Sequence, residues 1–134
     1  MAERLPDESM SRNAGWGMYL TLYQDSKRTV PFALTGYEAL CQFRAVEGDP
    51  TSDLLATATI VIGTLDAQKN FSADPDGDTL YLSLTAAEIA AAAIDGVEVN
   101  EMFADVLVRP VGGESDRVAY FRAVIGDGES EWPT

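Results

Sequence analysis

The chain has 134 residues, the length of one domain with a buried core. Its composition, 46% hydrophobic and 23% charged, is that of a globular protein and excludes a disordered chain. The formal net charge of -13 is spread along the sequence and opposes binding to nucleic acid and to anionic membranes, so we expect neither as a partner.

The first 14 residues are polar and lack a regular pattern, which predicts an extended N-terminal arm over residues 1–14. Alternation of apolar and polar residues then predicts a strand over residues 16–23. A polar turn follows at residues 24–28, and Pro31 restricts the next segment to an edge strand or a bulge. The segment YEALCQFRAV, residues 37–46, predicts another strand.

The second half of the chain combines further strands with one helix. Alternation and β-branched residues predict strands at residues 54–63, 79–84, 97–111 and 117–126. Thr85 is followed three residues later by Glu88, a capping box that predicts a short helix in TAAEIAAAAI. About seven strands and one short helix predict an all-β fold, an antiparallel β-sandwich over residues 15–126 that leads into an acidic C-terminal tail at residues 127–134.

Few residues of the sequence suit catalysis. Cys41 is the only cysteine, so an intramolecular disulfide is impossible, and its apolar neighbours predict a small buried side chain. The sequence has no histidine and no glycine-rich phosphate loop, so we do not expect an enzyme. It also has no export signal that we recognise and no apolar run of the roughly 18 residues that cross a bilayer, so we expect a soluble chain made in the cytoplasm.

Three aspartates, Asp74, Asp76 and Asp78, alternate with a proline and a glycine just before a predicted strand. Alternating carboxylates can present hard oxygens to calcium, so these three residues are the candidate metal ligands. The twelve-residue calcium loop requires a glutamate at its last position, which falls on Thr85 when counted from Asp74. Asp, Pro and Gly are also ordinary β-turn residues, so a turn is the favoured interpretation, calcium binding is a hypothesis, and we expect no other cofactor.

Three segments, VPFALTGYEALCQFR, LYLSLTAAEIAAA and MFADVLV, carry a resemblance when taken in order. Their matching residues are Leu34, Gly36, Tyr37, Arg44, Leu84, Thr85, Ala87, Glu88, Phe103, Asp105 and Val108. In this order the segments resemble a group of small bacteriophage proteins and domains associated with tail, baseplate and fibre structures. The match covers about residues 19–125, and it implies an immunoglobulin-like β-sandwich.

The resemblance implies a virion structural protein, made in the host cytoplasm, that acts at the tail, the baseplate, a fibre attachment or the head-to-tail junction. We expect it to form homo-oligomers in a symmetric assembly and to contact other virion proteins. Residues 1–13 of the arm and residues 129–134 of the tail are the segments assigned to these contacts. The candidate contact residues within them are Arg4, Leu5, Met10 and Trp132.

Two alternative functions stay open. One is a head decoration protein of a phage, which uses the same architecture. The other is a carbohydrate-binding module, in which exposed aromatic residues would stack on sugar rings. The candidate stacking residues are Trp16, Tyr19, Tyr23 and Tyr37. Because Trp16 alternates in phase with Met18 and Leu20, a core position is the favoured interpretation for this side chain.

Overall fold

Alternating apolar residues give each of two β-sheets one apolar face, and the two faces pack together. The computed structural model describes residues 2–25, 27–93 and 99–126. The strands are β1 (Glu3–Arg4), β2 (Glu8–Ser11), β3 (Trp16–Thr21), β4 (Tyr37–Arg44), β5 (Leu54–Thr57), β6 (Thr59–Leu65), β7 (Phe71–Ala73), β8 (Thr79–Leu84), β9 (Val99–Pro110) and β10 (Asp116–Gly126). The helix α1 (Ala86–Ala92) lies between β8 and β9.

The strand order is that of an immunoglobulin-like sandwich. One sheet has the order β1-β10-β9-β4-β5, with β2 also paired to β10, and the other has the order β3-β8-β6-β7. Strands β4, β9 and β10 correspond to immunoglobulin strands C, F and G, and β3, β8 and β6 to strands B, E and D. The predicted all-β, immunoglobulin-like sandwich with one short helix is confirmed, with ten strands in the described residues where about seven were expected.

Aromatic side chains form the centre of the core. The ring of Trp16 lies 5.9 Å from both the Phe43 and the Phe121 rings, between centroids. Its indole N–H donates to Glu8 Oε1 at 3.0 Å, which joins β2 to β3. Cys41 is fully buried beside this cluster, as expected, and burial raises the pKa of its thiol to about 12. Trp16 is therefore a core residue and does not belong to an exposed sugar-stacking surface.

The predicted strand at residues 54–63 is two strands in different sheets. β5 pairs with β4, whereas β6 pairs with β8, and the chain crosses between the sheets at Ala58. Ala58 is buried at this crossing, and its N–H donates to the Cys41 carbonyl at 2.9 Å. Alternation continues through the crossing because both strands have period two, so the sequence pattern does not reveal a change of sheet.

The capping signal in the sequence correctly predicted the start of the helix. The Glu88 N–H donates to Thr85 Oγ1 at 3.1 Å, and the Thr85 N–H donates to Glu88 Oε1 at 2.9 Å. This confirms the predicted capping box at the start of α1. The helix buries Ile89 and Ala92, so its apolar side closes over the core.

The N-terminal segment belongs to the six-stranded sheet. β1 and β2 pair in parallel with β10, in the registers Glu3 with Ala119 and Met10 with Ile125. The segment predicted as an arm is therefore ordered against its own domain in the part that the structure describes. The predicted acidic tail, residues 127–134, lies outside the described residues.

Candidate functional site

The two sheets differ in charge. Strands β3, β6, β7 and β8 contain no Asp, Glu, Lys or Arg. Every charged strand residue belongs to the other sheet: Glu3, Arg4, Glu8, Glu38, Arg44, Glu101, Asp105, Arg109, Asp116, Arg117 and Arg122. The four-stranded sheet therefore presents an uncharged outer surface on a protein whose net charge is -13.

We call this surface the neutral face. It consists of the outward-facing residues Gly17, Tyr19, Thr21, Thr59, Val61, Gly63, Leu65, Phe71, Ala73, Thr79, Tyr81 and Ser83. Tyr19 is 49% exposed and Val61 is 37% exposed, so the face offers apolar surface to solvent. Contiguous exposed apolar surface on a soluble protein marks a site of interaction.

Three aromatic rings form the centre of the neutral face. Ring centroids are 4.8 Å apart for Tyr19 and Tyr81, 5.3 Å for Tyr19 and Phe71, and 5.9 Å for Phe71 and Tyr81. The planes of the rings are inclined to one another by 35° to 43°. Aromatic pairs at such distances contribute about 0.5–1.5 kcal/mol beyond their buried area, so contacts between the rings stabilise the cluster.

Two glycines leave the space that the Tyr81 and Phe71 rings occupy against the sheet. A Cβ at Gly17 would overlap the Tyr81 hydroxyl, and a Cβ at Gly63 would overlap the Phe71 ring and the Ser72 carbonyl. Glycine inside a strand often marks such a close approach. Phe71 and Tyr81 were not among the candidate residues predicted from the sequence, although outward-facing glycines at positions 17 and 63 were a signal that large side chains cover the sheet there.

The outer surface of the six-stranded sheet carries charged side chains, and most of them form ion pairs with one another. Arg122 bridges Asp7 at 2.8 Å and Glu101 at 3.0 Å, and the guanidinium of Arg117 lies 4.1 Å from the centroid of the Tyr120 ring. Further ion pairs join Arg117 to Asp105 and Arg109 to Glu38. Exposed pairs of this kind contribute little to stability, but they leave few unpaired charges on this surface.

An open depression of about 280 Å³ lies on the same surface. Its lining includes Leu40, Leu107 and Pro50 together with the side chains of Arg44 and Arg117. The charged groups around it already have protein partners, since Arg44 donates to the Ser52 carbonyl at 2.8 Å and Arg117 pairs with Asp105. This depression therefore offers a ligand few free polar groups.

The three candidate metal ligands lie in and beside a turn. Asp74 Oδ1 accepts from the Asp76 N–H at 2.9 Å, and Asp78 Oδ1 accepts from the Thr79 hydroxyl at 2.9 Å. The Asp74 carbonyl accepts from the Gly77 N–H at 3.0 Å and closes the turn. Within the described ranges, no three His, Cys, Asp or Glu side chains converge on a point that could hold a metal ion. The structure thus gives these aspartates the turn role that the sequence favoured.

Two other aspartates cap loops. Hydrogen bonds from the Thr29 hydroxyl and from the Val30 N–H lower the pKa of Asp25. The hydroxyl and the N–H of Thr51 likewise lower the pKa of Asp49. Hydrogen bonds to the ionised form explain both shifts. A general acid or base needs a pKa nearer neutrality, so neither group suits that role.

The candidate contact residues of the N-terminal segment have different surroundings. Arg4 is exposed in β1, opposite Tyr120. Leu5 packs partly against the core, and its N–H donates to the Tyr120 carbonyl at 2.9 Å. Met10 is only 6% exposed and contacts the core of its own domain, so its side chain is not presented to a partner in this conformation. Trp132 lies outside the described residues.

The tyrosines considered for sugar stacking do not form one surface. Tyr19 belongs to the neutral face, whereas Tyr37 packs against Phe32, with ring centroids 5.2 Å apart and planes at 80°. Tyr23 is exposed and forms a single bridge with Pro31, which is where the structure places the predicted edge strand or bulge. Of the predicted stacking residues, Tyr19 is the exposed one that packs against two further rings, the partly buried Phe71 and Tyr81, in the described structure.

Comparison with known proteins gave no family for this chain. No protein-family model matches it, and a search of curated proteins found no match. In the described part of the chain, no helix has the length and apolar character needed to span a membrane.

Proposed function

We propose that this protein is a structural component of a bacteriophage virion, at the tail, the baseplate, a fibre attachment or the head-to-tail junction, and that it works through protein–protein interfaces. The observation that carries the proposal is the neutral face, an uncharged aromatic surface on a strongly acidic domain. The cores of protein interfaces are depleted in charged residues and enriched in aromatic ones, as this face is.

The shape of the neutral face favours a broad partner surface over a small ligand. Its residues come from four neighbouring strands of a single sheet, and the rings of Tyr19, Phe71 and Tyr81 pack on one another. Small-molecule sites are concave and enclose most of their ligand, whereas a sheet surface can contact a second protein over a wide area. The bacteriophage setting is supported by the ordered resemblance of three segments within an immunoglobulin-like sandwich.

Quantitative mass spectrometry tests the proposal on phage particles that are purified by density gradient from a culture producing this chain. We expect a low copy number that is fixed relative to the major capsid protein, because rings in a tail or neck have few subunits. A copy number close to that of the capsid protein would instead identify a head decoration protein. Absence from the particles would overturn the virion proposal.

Carbohydrate binding is a second candidate, which the exposed Tyr19 beside Tyr81 and Phe71 favours. The planes of these rings are inclined by at least 35° to one another, so a sugar could stack on one ring at a time. NMR titration with neutral oligosaccharides tests it, because a bound sugar ring would shift the Tyr19 ring protons. Unchanged spectra at millimolar sugar would contradict this candidate.

A further inference from the structure

Strand β3 lies at an edge of the four-stranded sheet that no described strand covers. It pairs with β8 on one side, and the order β3-β8-β6-β7 gives it no neighbour on the other side. In an immunoglobulin sandwich, strand A occupies this position next to strand B. Here the N-terminal strands β1 and β2 pair with β10 in the opposite sheet instead, so the edge of β3 is open in the part of the chain that the structure describes.

The hydrogen-bond pattern shows which backbone groups point to this edge. The Leu22 N–H donates to the Asp78 carbonyl at 2.8 Å, in continuation of the β3–β8 register. Hydrogen-bonded and non-hydrogen-bonded pairs alternate along an antiparallel ladder, so Trp16, Met18 and Leu20 bond to β8. The N–H and C=O groups of Gly17, Tyr19 and Thr21 therefore point away from the sheet, toward the open edge.

The other sheet edges are short or irregular, and β3 is neither. β1 has two residues, both charged, and Pro6 follows shortly after it. β7 has three residues, and β5 has four with a register shift against β4. β3 has six residues in unbroken register with β8, without a charged residue or a proline. Proteins block exposed edges with such features to prevent pairing, so their absence from β3 indicates an edge that pairs.

We propose that β3 pairs antiparallel with β3 of a second copy of this chain, which joins the two four-stranded sheets into one eight-stranded sheet. This inference deepens the assembly role proposed above and rests on it. A two-fold axis beside Tyr19 places Tyr19 of one copy opposite Tyr19 of the other, and Gly17 opposite Thr21. All of these are residues whose backbone groups point to the open edge, so the register is self-complementary.

The side chains that would meet in this pairing are compatible on both sides of the sheet. On the inner side, Met18 of one copy lies opposite Leu20 of the other, and Met18 is only partly buried in the single chain. On the outer side, the two neutral faces become one continuous surface with the two tyrosines at its centre. No strand of the four-stranded sheet carries a charged residue in either copy, so two chains that each carry a charge of -13 meet where their surfaces repel least.

Sedimentation velocity of the full chain across a concentration series tests the pairing. We expect a species of twice the 14.4 kDa chain mass, with a population that rises with salt, because screening weakens the repulsion between two acidic chains.

Tyr19→Lys places two ammonium groups side by side across the two-fold axis, and we expect it to raise the dissociation constant at least about tenfold. Leu54→Lys is the matched control, because Leu54 is 48% exposed in β5, an edge strand of the other sheet. It should leave the dissociation constant unchanged.

Amide hydrogen exchange of the unmodified chain tests the register directly. The amides of Gly17, Tyr19 and Thr21 should exchange quickly when the protein is dilute and become protected at concentrations that give the dimer. Those of Met18 and Leu20 should be protected in both conditions, because they bond to β8. A chain that stays monomeric would overturn the inference, and so would a dimer in which the amides of Gly17, Tyr19 and Thr21 stay unprotected.

The virion role and the β3 pairing can be overturned independently of each other. A dimer with the expected amide protection, in a protein absent from phage particles, would overturn the virion role and leave the β3 pairing standing. A monomeric chain that is present in particles at a fixed copy number would overturn the β3 pairing and leave the virion role standing.

Discussion

Gly63 lies where the four-stranded sheet leaves no room for a side chain. A Cβ there would overlap the Ser72 carbonyl, which belongs to the paired backbone of β7, as well as the Phe71 ring. Because that backbone cannot move without breaking the strand pairing, we expect Gly63→Ala to lower the free energy of unfolding by about 1–3 kcal/mol. Urea denaturation measures this change.

Gly17→Ala provides the comparison for Gly63→Ala. The added Cβ would overlap the hydroxyl end of Tyr81, a side chain that can swing away from the sheet. We therefore expect a smaller loss of stability than at Gly63, together with a change in the ring-proton shifts of Tyr81. Equal losses for the two variants would show that backbone crowding at Gly63 is not the main constraint.

Cys41 illustrates how burial controls reactivity. Its thiol has a pKa of about 12, chiefly because burial disfavours the thiolate, so at pH 8 almost all of it is the unreactive thiol. We expect a thiol-specific reagent to label the native protein at pH 8 far more slowly than the protein unfolded in guanidinium. Labelling at the same rate in both states would mean that the strand carrying Cys41 opens readily.

At the scale of single elements, the capping box makes the short helix α1 possible. The helix has seven residues, too few to be stable alone, and Thr85 and Glu88 satisfy each other's backbone N–H groups at its start. We expect Thr85→Ala to destabilise the protein by about 1 kcal/mol, which thermal unfolding would show as a lower midpoint. The control Thr57→Ala changes an exposed threonine in β5 and should have a smaller effect.

The same elements show what sequence patterns could and could not predict. Strands β3, β4, β8 and β10 and helix α1 lie within two residues of their predicted ends, because alternation and capping are local signals. The crossing at Ala58, the short β7 and the parallel pairing of β1 and β2 with β10 were missed. Each of these depends on which distant strand is the partner, and that information is not present in a local pattern.

The neutral face could not be predicted from local sequence patterns for the same reason. The lack of charge in β3, β6, β7 and β8 was present in the sequence, but β4 and β5 of the other sheet separate β3 from β6, β7 and β8 along the chain. Of the aromatic cluster, Tyr19 was named as a sugar-stacking candidate, while Phe71 lies outside the predicted strands. Only the strand order brings these residues together with Tyr81 on one surface.

At the scale of the whole molecule, the net charge of -13 dominates the response to salt. The ion pairs in the described residues are exposed, so screening them costs little, whereas screening the overall repulsion favours the compact state. We expect the unfolding midpoint to rise by about 4 °C, equivalent to about 1 kcal/mol, between low and about 0.5 M salt. A midpoint that falls with salt would mean that the ion pairs of the six-stranded sheet outweigh the repulsion.

The parallel pairing of β1 and β2 with β10 also sets the timing of folding during synthesis. Asp7 and Arg122, which bond to each other, are 115 positions apart in the chain. A ribosome makes residues 3–11 early, yet the strand that receives them is translated almost a whole domain later. Until β10 emerges, Met10 has no core to enter, and the sandwich cannot close on that side. The nascent chain must therefore carry β1 and β2 unpaired until β10, the strand that receives them, has been made.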